Sequence, residues 1–197
     1  FPFMRERARA ERDDISIVRA GASSDCAYRM GAVALDADGH PHFTAGLPKG
    51  AALEVALSTT GAQSVSNAIL AIAVGDLMGV GAQDMASALS ELAITGRRQE
   101  IRRARSGARV IDDSYNASPE SMAAALDLLE LLPATGSRIA VLGEIGELGD
   151  EAPRLHALVG AYAAAKKPDY LVCVGADGAR DMAAAARLMG LSDDAVL

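Results

Sequence analysis

From residue 108 to residue 190 the chain keeps one rhythm. A short apolar run is followed by a longer segment whose apolar residues recur three and four apart. The runs "ARVID" (108–112), "RIAVLG" (138–143) and "YLVCVG" (170–175) have the length of buried strands. The segments between and after them predict helices over 119–132, 152–165 and 178–190. Met122, Leu126 and Leu129 form one stripe; Leu155, Leu158, Val159 and Tyr162 form another. Repeated β-α units imply an α/β fold, a parallel sheet with covering helices, because parallel neighbours need a crossover long enough to hold a helix. No further strand is read before Leu197, so the sheet is expected to be truncated. The composition suits this reading. Half the residues are hydrophobic but only 4% are aromatic, so Ala, Leu, Val, Ile and Met must fill the core.

The first half reads differently. Residues 4–14 are dense in mixed charge and predict a solvated helix or a ragged edge. Over residues 28–46, strand-like runs flank Asp38-Gly39, a hairpin signal. Residues 51–59 alternate like another strand, so 15–60 is read as β-rich. "SNAILAIAVGDLMGV" (66–80) places Ile69, Ile72, Ala73 and Leu77 at helical spacing and predicts a mostly buried helix closing at Gly79 or Gly81. A second helix is read over 82–93, with Met85, Leu89 and Leu92 on one face. Residues 94–109 are then polar, basic and broken by glycine, and they mark the boundary between two domains, 1–93 and 94–197.

Several function classes are disfavoured. A net charge of −7 argues against a nucleic-acid binder. The cluster Arg97, Arg98, Arg102, Arg103, Arg105 and Arg109 lacks interleaved aromatics and is read as a solvated linker. Cys26 and Cys173 lie far apart without metal-like spacing and are expected to be buried free thiols. His40 and His42 flank Pro41 in a turn, where a metal site is not expected; His156 is read as a structural or surface histidine. No apolar run approaches the roughly 18 residues of a membrane span. The methionines are read as core or edge filler. The chain opens Phe1-Pro2-Phe3-Met4-Arg5, without an initiator Met or a signal-peptide pattern, and is expected to be a piece of a longer one.

The stretch that concentrates chemistry is "VIDDSYNASPESM" (110–122). Part of it is structural: Ser118, Pro119 and Glu120 have the order of a helix N-cap, first position and acidic first turn. That leaves Asp112, Asp113, Tyr115 and Asn116 at the carboxyl end of a strand, where open α/β sheets bind ligands. A carboxylate there accepts both hydroxyls of a ribose. An Asx-type turn with a solvated acid pair accounts for the spacing equally well.

This stretch, and three other segments in the same order, resemble the Mur ligases, ATP-dependent amide-forming enzymes of peptidoglycan synthesis. The others are "VSNAILAIAVGDLMGV", "TGRRQE" and "RIAVLGEIGELGDEAPRLHALVG". Tyr115-Asn116-Ala117-x-Pro119 is similar to the branch that adds D-alanyl-D-alanine. The resemblance implies that 94–197 is the Rossmann-like C-terminal ligase domain and that 1–93 is the tail of a central P-loop ATPase domain. It implies ATP and Mg2+ as cofactors, UDP-N-acetylmuramoyl-tripeptide and D-alanyl-D-alanine as substrates, and a bacterial cytoplasmic setting. No G-x-x-x-x-G-K-[ST] occurs, so the phosphate loop and magnesium ligands are expected upstream.

Residue by residue, the resemblance puts Asn67 on adenine, Arg97 toward the nucleotide and Asp113 on the ribose; Tyr115 and Asn116 contribute to the amine-substrate site. A first-turn or N-cap asparagine is an equal reading of Asn67. Gln63 stands where many relatives carry His, which alters the base contact. Other readings stay open: a ligase for a different amine, or a Rossmann-like binding module without ligase activity. Gly143, Gly146 and Gly149 are spaced G-x-x-G-x-x-G, not as a dinucleotide fingerprint, and that loop is expected beside the active site.

Overall fold

The computed structural model describes residues 2–12, 14–93 and 96–197. Ile94 and Thr95, which open the expected boundary, and the side chain of Met4 lie outside the described residues. Helix α1 (Pro2–Glu11) carries the mixed-charge segment. A four-stranded sheet follows, in the order β1 (Ala20–Gly21), β2 (Tyr28–Leu35), β3 (Pro41–Gly46), β4 (Ala52–Ala56), parallel between β1 and β2 and antiparallel thereafter. The predicted hairpin joins β2 to β3. Asp36 closes it by accepting the amides of Asp38 and His40 at 2.9 and 2.8 Å, while Gly39 takes φ +83°.

The alternation of β3 and β4 aims Phe43, Ala45, Leu53 and Val55 at one face of the sheet. Helix α2 (Ser64–Leu77) covers that face with Val65, Ala68, Ile69, Ile72 and Ala73, and α3 (Ala82–Ser90) adds Met85. The hydroxyl of buried Tyr28 donates to Asp76 at 2.6 Å and ties β2 to α2; that hydrogen bond pushes the phenol up to about 12. The expected burial of α2 holds for one face only. Leu70, Val74, Leu77 and Met78 are exposed on the other, because this helix is apolar on nearly all sides and has one sheet to pack against.

Beyond residue 96 the predicted strands and helices form, with two corrections. First, β5 (Glu100–Arg103) lies inside the stretch read as a polar linker, and it pairs antiparallel with β6 (Arg109–Asp112). Among the described residues the parallel ladder here joins β7 (Ile139–Gly143) to β8 (Tyr170–Val174) alone, so β6 is not in register with them. The reason is local: Ile101 faces Ile111 across a tight connection in which Gly107 takes φ +86°. Second, the end of the chain returns to the sheet. Val196 bridges Leu171 in parallel, and Leu197 accepts the Cys173 amide at 2.8 Å.

Helices α4 (Pro119–Leu131), α5 (Ala152–Ala165) and α6 (Asp177–Leu188) pack on the pair. Met122, Leu126, Ala140, Leu142, Val159, Leu171 and Met182 make the second core. Gly160 is required there: a Cβ would lie 2.1 Å from the Met182 carbonyl oxygen, so α5 and α6 touch backbone to backbone. His156 is 3% exposed. Its Nε2 accepts the Ile145 amide at 2.9 Å, which leaves Nδ1–H to donate to the Ala152 carbonyl at 2.7 Å. Both cysteines are free and half-buried. Met85, Met122 and Met182 are core residues, whereas Met78 and Met189 stand exposed.

Candidate functional site

Ser118 caps α4 as its sequence predicts, accepting the Ser121 amide at 3.1 Å while Ser121 Oγ accepts the Ser118 amide at 2.9 Å. That cap fixes the exit of the loop that leaves β6. The loop forms one wall of a cleft of about 510 Å³. The opposite wall is the first turns of α2 with the segment before it, and the floor is the 98–99 strand approach. Asn67, Asp113, Tyr115 and Asn116, from segments almost fifty residues apart, all line it.

The two carboxylates of the acid pair part company. Asp112 makes the Asx turn: its Oδ1 accepts the Ser114 hydroxyl at 2.7 Å and the Ser114 amide at 3.2 Å. The hydroxyl chiefly holds this carboxyl below the usual range. Asp113 faces the cleft, half-buried, and its Oδ1 accepts the Gln99 amide at 3.0 Å. Burial pushes its carboxyl up, against the pull of hydrogen bonds from Gln99 and the charge of Arg98. The turn and the cleft-facing acid are thus adjacent residues.

Asn67 sits exposed in the first turn of α2, with its amide on the cleft wall. Tyr115 and Asn116 are also exposed. Arg97 is placed otherwise. Its backbone turns at φ 63°, its carbonyl accepts the Tyr115 amide at 3.1 Å, and its side chain is not among the cleft lining. The guanidinium at the cleft belongs to Arg98, stacked 4.3 Å from the Tyr115 ring centroid. None of residues 143–149 lines the cleft. In that loop Glu144 instead accepts the Gly178 amide at 2.6 Å at the start of α6.

Gln99 is a cleft residue that the sequence reading passed over. It is 4% exposed, takes φ 49°, and its carbonyl accepts the Thr60 hydroxyl, so it joins the two walls. Its side-chain Oε1 is buried without a hydrogen-bond partner among the described residues. Flanked by Arg98 and Glu100, Gln99 carries no periodic signal of burial; the basic cluster around it is read as solvated linker, and only the family resemblance of "TGRRQE" marks the segment. Gly61 makes room for it. At φ +83°, a Cβ on Gly61 would stand 2.2 Å from Gln99 Oε1.

Comparison with known proteins follows this geometry. The family model described as Mur ligase, glutamate ligase domain, matches residues 96–196. A UDP-N-acetylmuramoyl-tripeptide–D-alanyl-D-alanine ligase of Bacillus subtilis is 40% identical over 138 residues, which are 70% of this chain and 30% of that protein. The enzyme of that name from Mycobacterium tuberculosis is 35% identical over 164 residues, 81% of this chain and 32% of its own. A crystal structure of MurF from Acinetobacter baumannii superposes with a TM-score of 0.79 at 27% identity, over 97% of this chain and 39% of that one. The chain therefore spans about a third of the length of the relatives it matches.

Proposed function

Because this chain belongs to the Mur ligase family, we propose that it is part of an ATP-dependent ligase joining D-alanyl-D-alanine to UDP-N-acetylmuramoyl-tripeptide. In this reading residues 1–93 are the end of the central ATPase domain and 94–197 the C-terminal ligase domain. The observation that carries the proposal is the convergence of Asn67, Asp113, Tyr115 and Asn116 on one cleft between the two cores.

ATP supplies the phosphoryl group that activates the tripeptide carboxylate. The dipeptide amine attacks the acyl phosphate, the amide bond forms and phosphate leaves. The residues of this chain bind and orient. Asp113 keeps one oxygen on the Gln99 amide and turns the other to the ribose hydroxyls. Asn67 offers a donor and an acceptor to the base edge. Arg98 takes the nucleotide-facing position expected of Arg97, because Arg98 carries the guanidinium that lines the cleft. Tyr115, held by the Arg98 stack, and Asn116 face the amine substrate. The residues fit a nucleotide: the cleft offers an acid, carboxamides and a cation. No Mg2+ ligand is assigned here; we place those ligands and the phosphate loop in the rest of the ligase, acting in the bacterial cytoplasm.

The test is phosphate release by the whole ligase that carries these residues. The proposal expects release to require both the UDP-linked tripeptide and D-alanyl-D-alanine. Release that needs a different amine, or no amine, overturns it.

A further inference from the structure

The hairpin β5–β6 treats charge differently on its two faces. Its register sets Glu100 against Asp112, Ile101 against Ile111, Arg102 against Val110 and Arg103 against Arg109. Alternation puts Glu100, Arg102 and Asp112 on one face. There Arg102 lies 2.7 Å from Glu100 and 3.9 Å from Asp112, so acid and base are matched. The other face carries the two isoleucines and then two arginines directly opposite each other. Like charges set so repel. Among the described residues neither arginine is paired with a carboxylate, and their guanidinium groups make one hydrogen bond, from Arg109 to the Pro133 carbonyl.

Both arginines line a recess of about 380 Å³ that adjoins the nucleotide cleft at Arg98 and Gln99. Its facing wall comes from the first core, from the β2–β3 hairpin and the segment after β4. Ser58 and Thr60 spend their hydroxyls on the carbonyls of Leu92 and Gln99, which leaves the Thr59 hydroxyl as an open donor among the described residues. Two acids also line the recess, Asp38 and Glu100. Glu100 is engaged by Arg102 and by the Arg97 amide at 3.1 Å. Three guanidinium groups, of Arg98, Arg103 and Arg109, then face the single carboxylate of Asp38, so the recess is positive on a chain of net charge −7. Its volume is that of a small-molecule site, and Ile101 gives it an apolar wall.

We propose that this recess binds a dianionic phosphate group, free or carried on a small molecule, bridged between the guanidinium groups of Arg103 and Arg109. The planar fork of arginine matches the phosphate oxygens, and the anion removes the repulsion across the hairpin. Thr59 donates from the facing wall, so the occupant touches both cores at once. The inference does not rest on the nucleotide reading, because Arg103 and Arg109 lie outside that cleft.

The experiment is isothermal titration calorimetry on the whole protein that carries these residues, at constant ionic strength. A saturating non-hydrolysable ATP analogue with Mg2+ fills the nucleotide cleft throughout. Inorganic phosphate and glycerol 3-phosphate are the two probes. Saturable binding of at least one is expected, with Kd rising about tenfold or more in Arg103→Gln and in Arg109→Gln. Tighter binding of the ester names a phosphorylated small molecule as the occupant; tighter binding of phosphate names the free ion. Arg103 is exposed, so Arg103→Gln decides alone if Arg109→Gln, which also loses the Pro133 contact, fails to fold. No saturable binding of either probe, or the wild-type Kd in Arg103→Gln, overturns the proposal. So does binding that is seen only without the analogue, since that places the phosphate in the nucleotide cleft.

Discussion

Substituting Gly61 by alanine probes the cleft without removing a polar group. Two costs apply. The first is backbone: φ is +83°, and a non-glycine residue there loses about 1–2 kcal/mol. The second is space. The new Cβ would stand 2.2 Å from Gln99 Oε1, and Gln99 is 4% exposed. Moving it disturbs its hold on Asp113, at about 1–2 kcal/mol more. Gly50 supplies the control. Its φ is +78° and nothing lies within 4 Å of its Cβ position, so Gly50→Ala meets the first cost alone. At roughly 2–4 °C per kcal/mol for a chain of this size, Gly61→Ala lowers Tm by about 4–16 °C and Gly50→Ala by about 2–8 °C, the first shift about twice the second. Thermal unfolding by circular dichroism measures both. Equal shifts would refute the claim that Gly61 is kept open for Gln99.

Lys166 braces α4 to α5 through Asp127 at 2.6 Å and Glu130 at 2.9 Å. These carboxylates, Asp127 first, hold its ammonium above the ordinary range. A cation with a raised folded-state pKa stabilises fully below its unfolded value of about 10.4, and the contribution is lost as pH rises through the higher folded value. Lys166→Met is expected to cost about 1 kcal/mol at pH 8 in urea titrations, with the gap to wild type closing in strong alkali. A gap that persists there contradicts the ionic brace. His156→Ala removes the acceptor of the Ile145 amide and empties a buried site. A loss of about 3 kcal/mol is expected, with faster hydrogen exchange at Ile145; unchanged exchange would count against the imidazole as that amide's anchor.

Much of the fold is visible in the sequence because its signals are periodic. Helices α4, α5 and α6 and the short runs of β7 and β8 sit within a residue or two of where they are read, although Leu158 of the stripe read for α5 stands exposed and the buried face turns instead through His156, Val159, Gly160 and Ala163. The hairpin β5–β6 is hidden because the second half of β5 is arginine on both faces. Arg102 and Arg103 make 100–103 look like solvated linker, while Ile101 alone marks the inward face. The return of Val196 to the sheet has no signal, since two residues set no period. The exposed face of α2 is a tertiary matter: composition says the helix is apolar, not how many surfaces it meets. At the site, Asn67, Asp113, Tyr115 and Asn116 are found by family pattern and are brought together in space. Arg98 and Gln99 are not found, because left-handed φ at Arg97 and Gln99 decides which side chain of "GRRQE" turns inward.

The central claim is that the open oxygen of Asp113 meets the sugar of a bound nucleotide. Its direct measurement is a binding cycle on the whole ligase, wild type and Asp113→Ala, each titrated with ATP and with 2′,3′-dideoxy-ATP. The account predicts that wild type favours ATP by tenfold or more, on the order of a charged hydrogen bond, and that the variant binds both alike. A variant that keeps the full preference would contradict it.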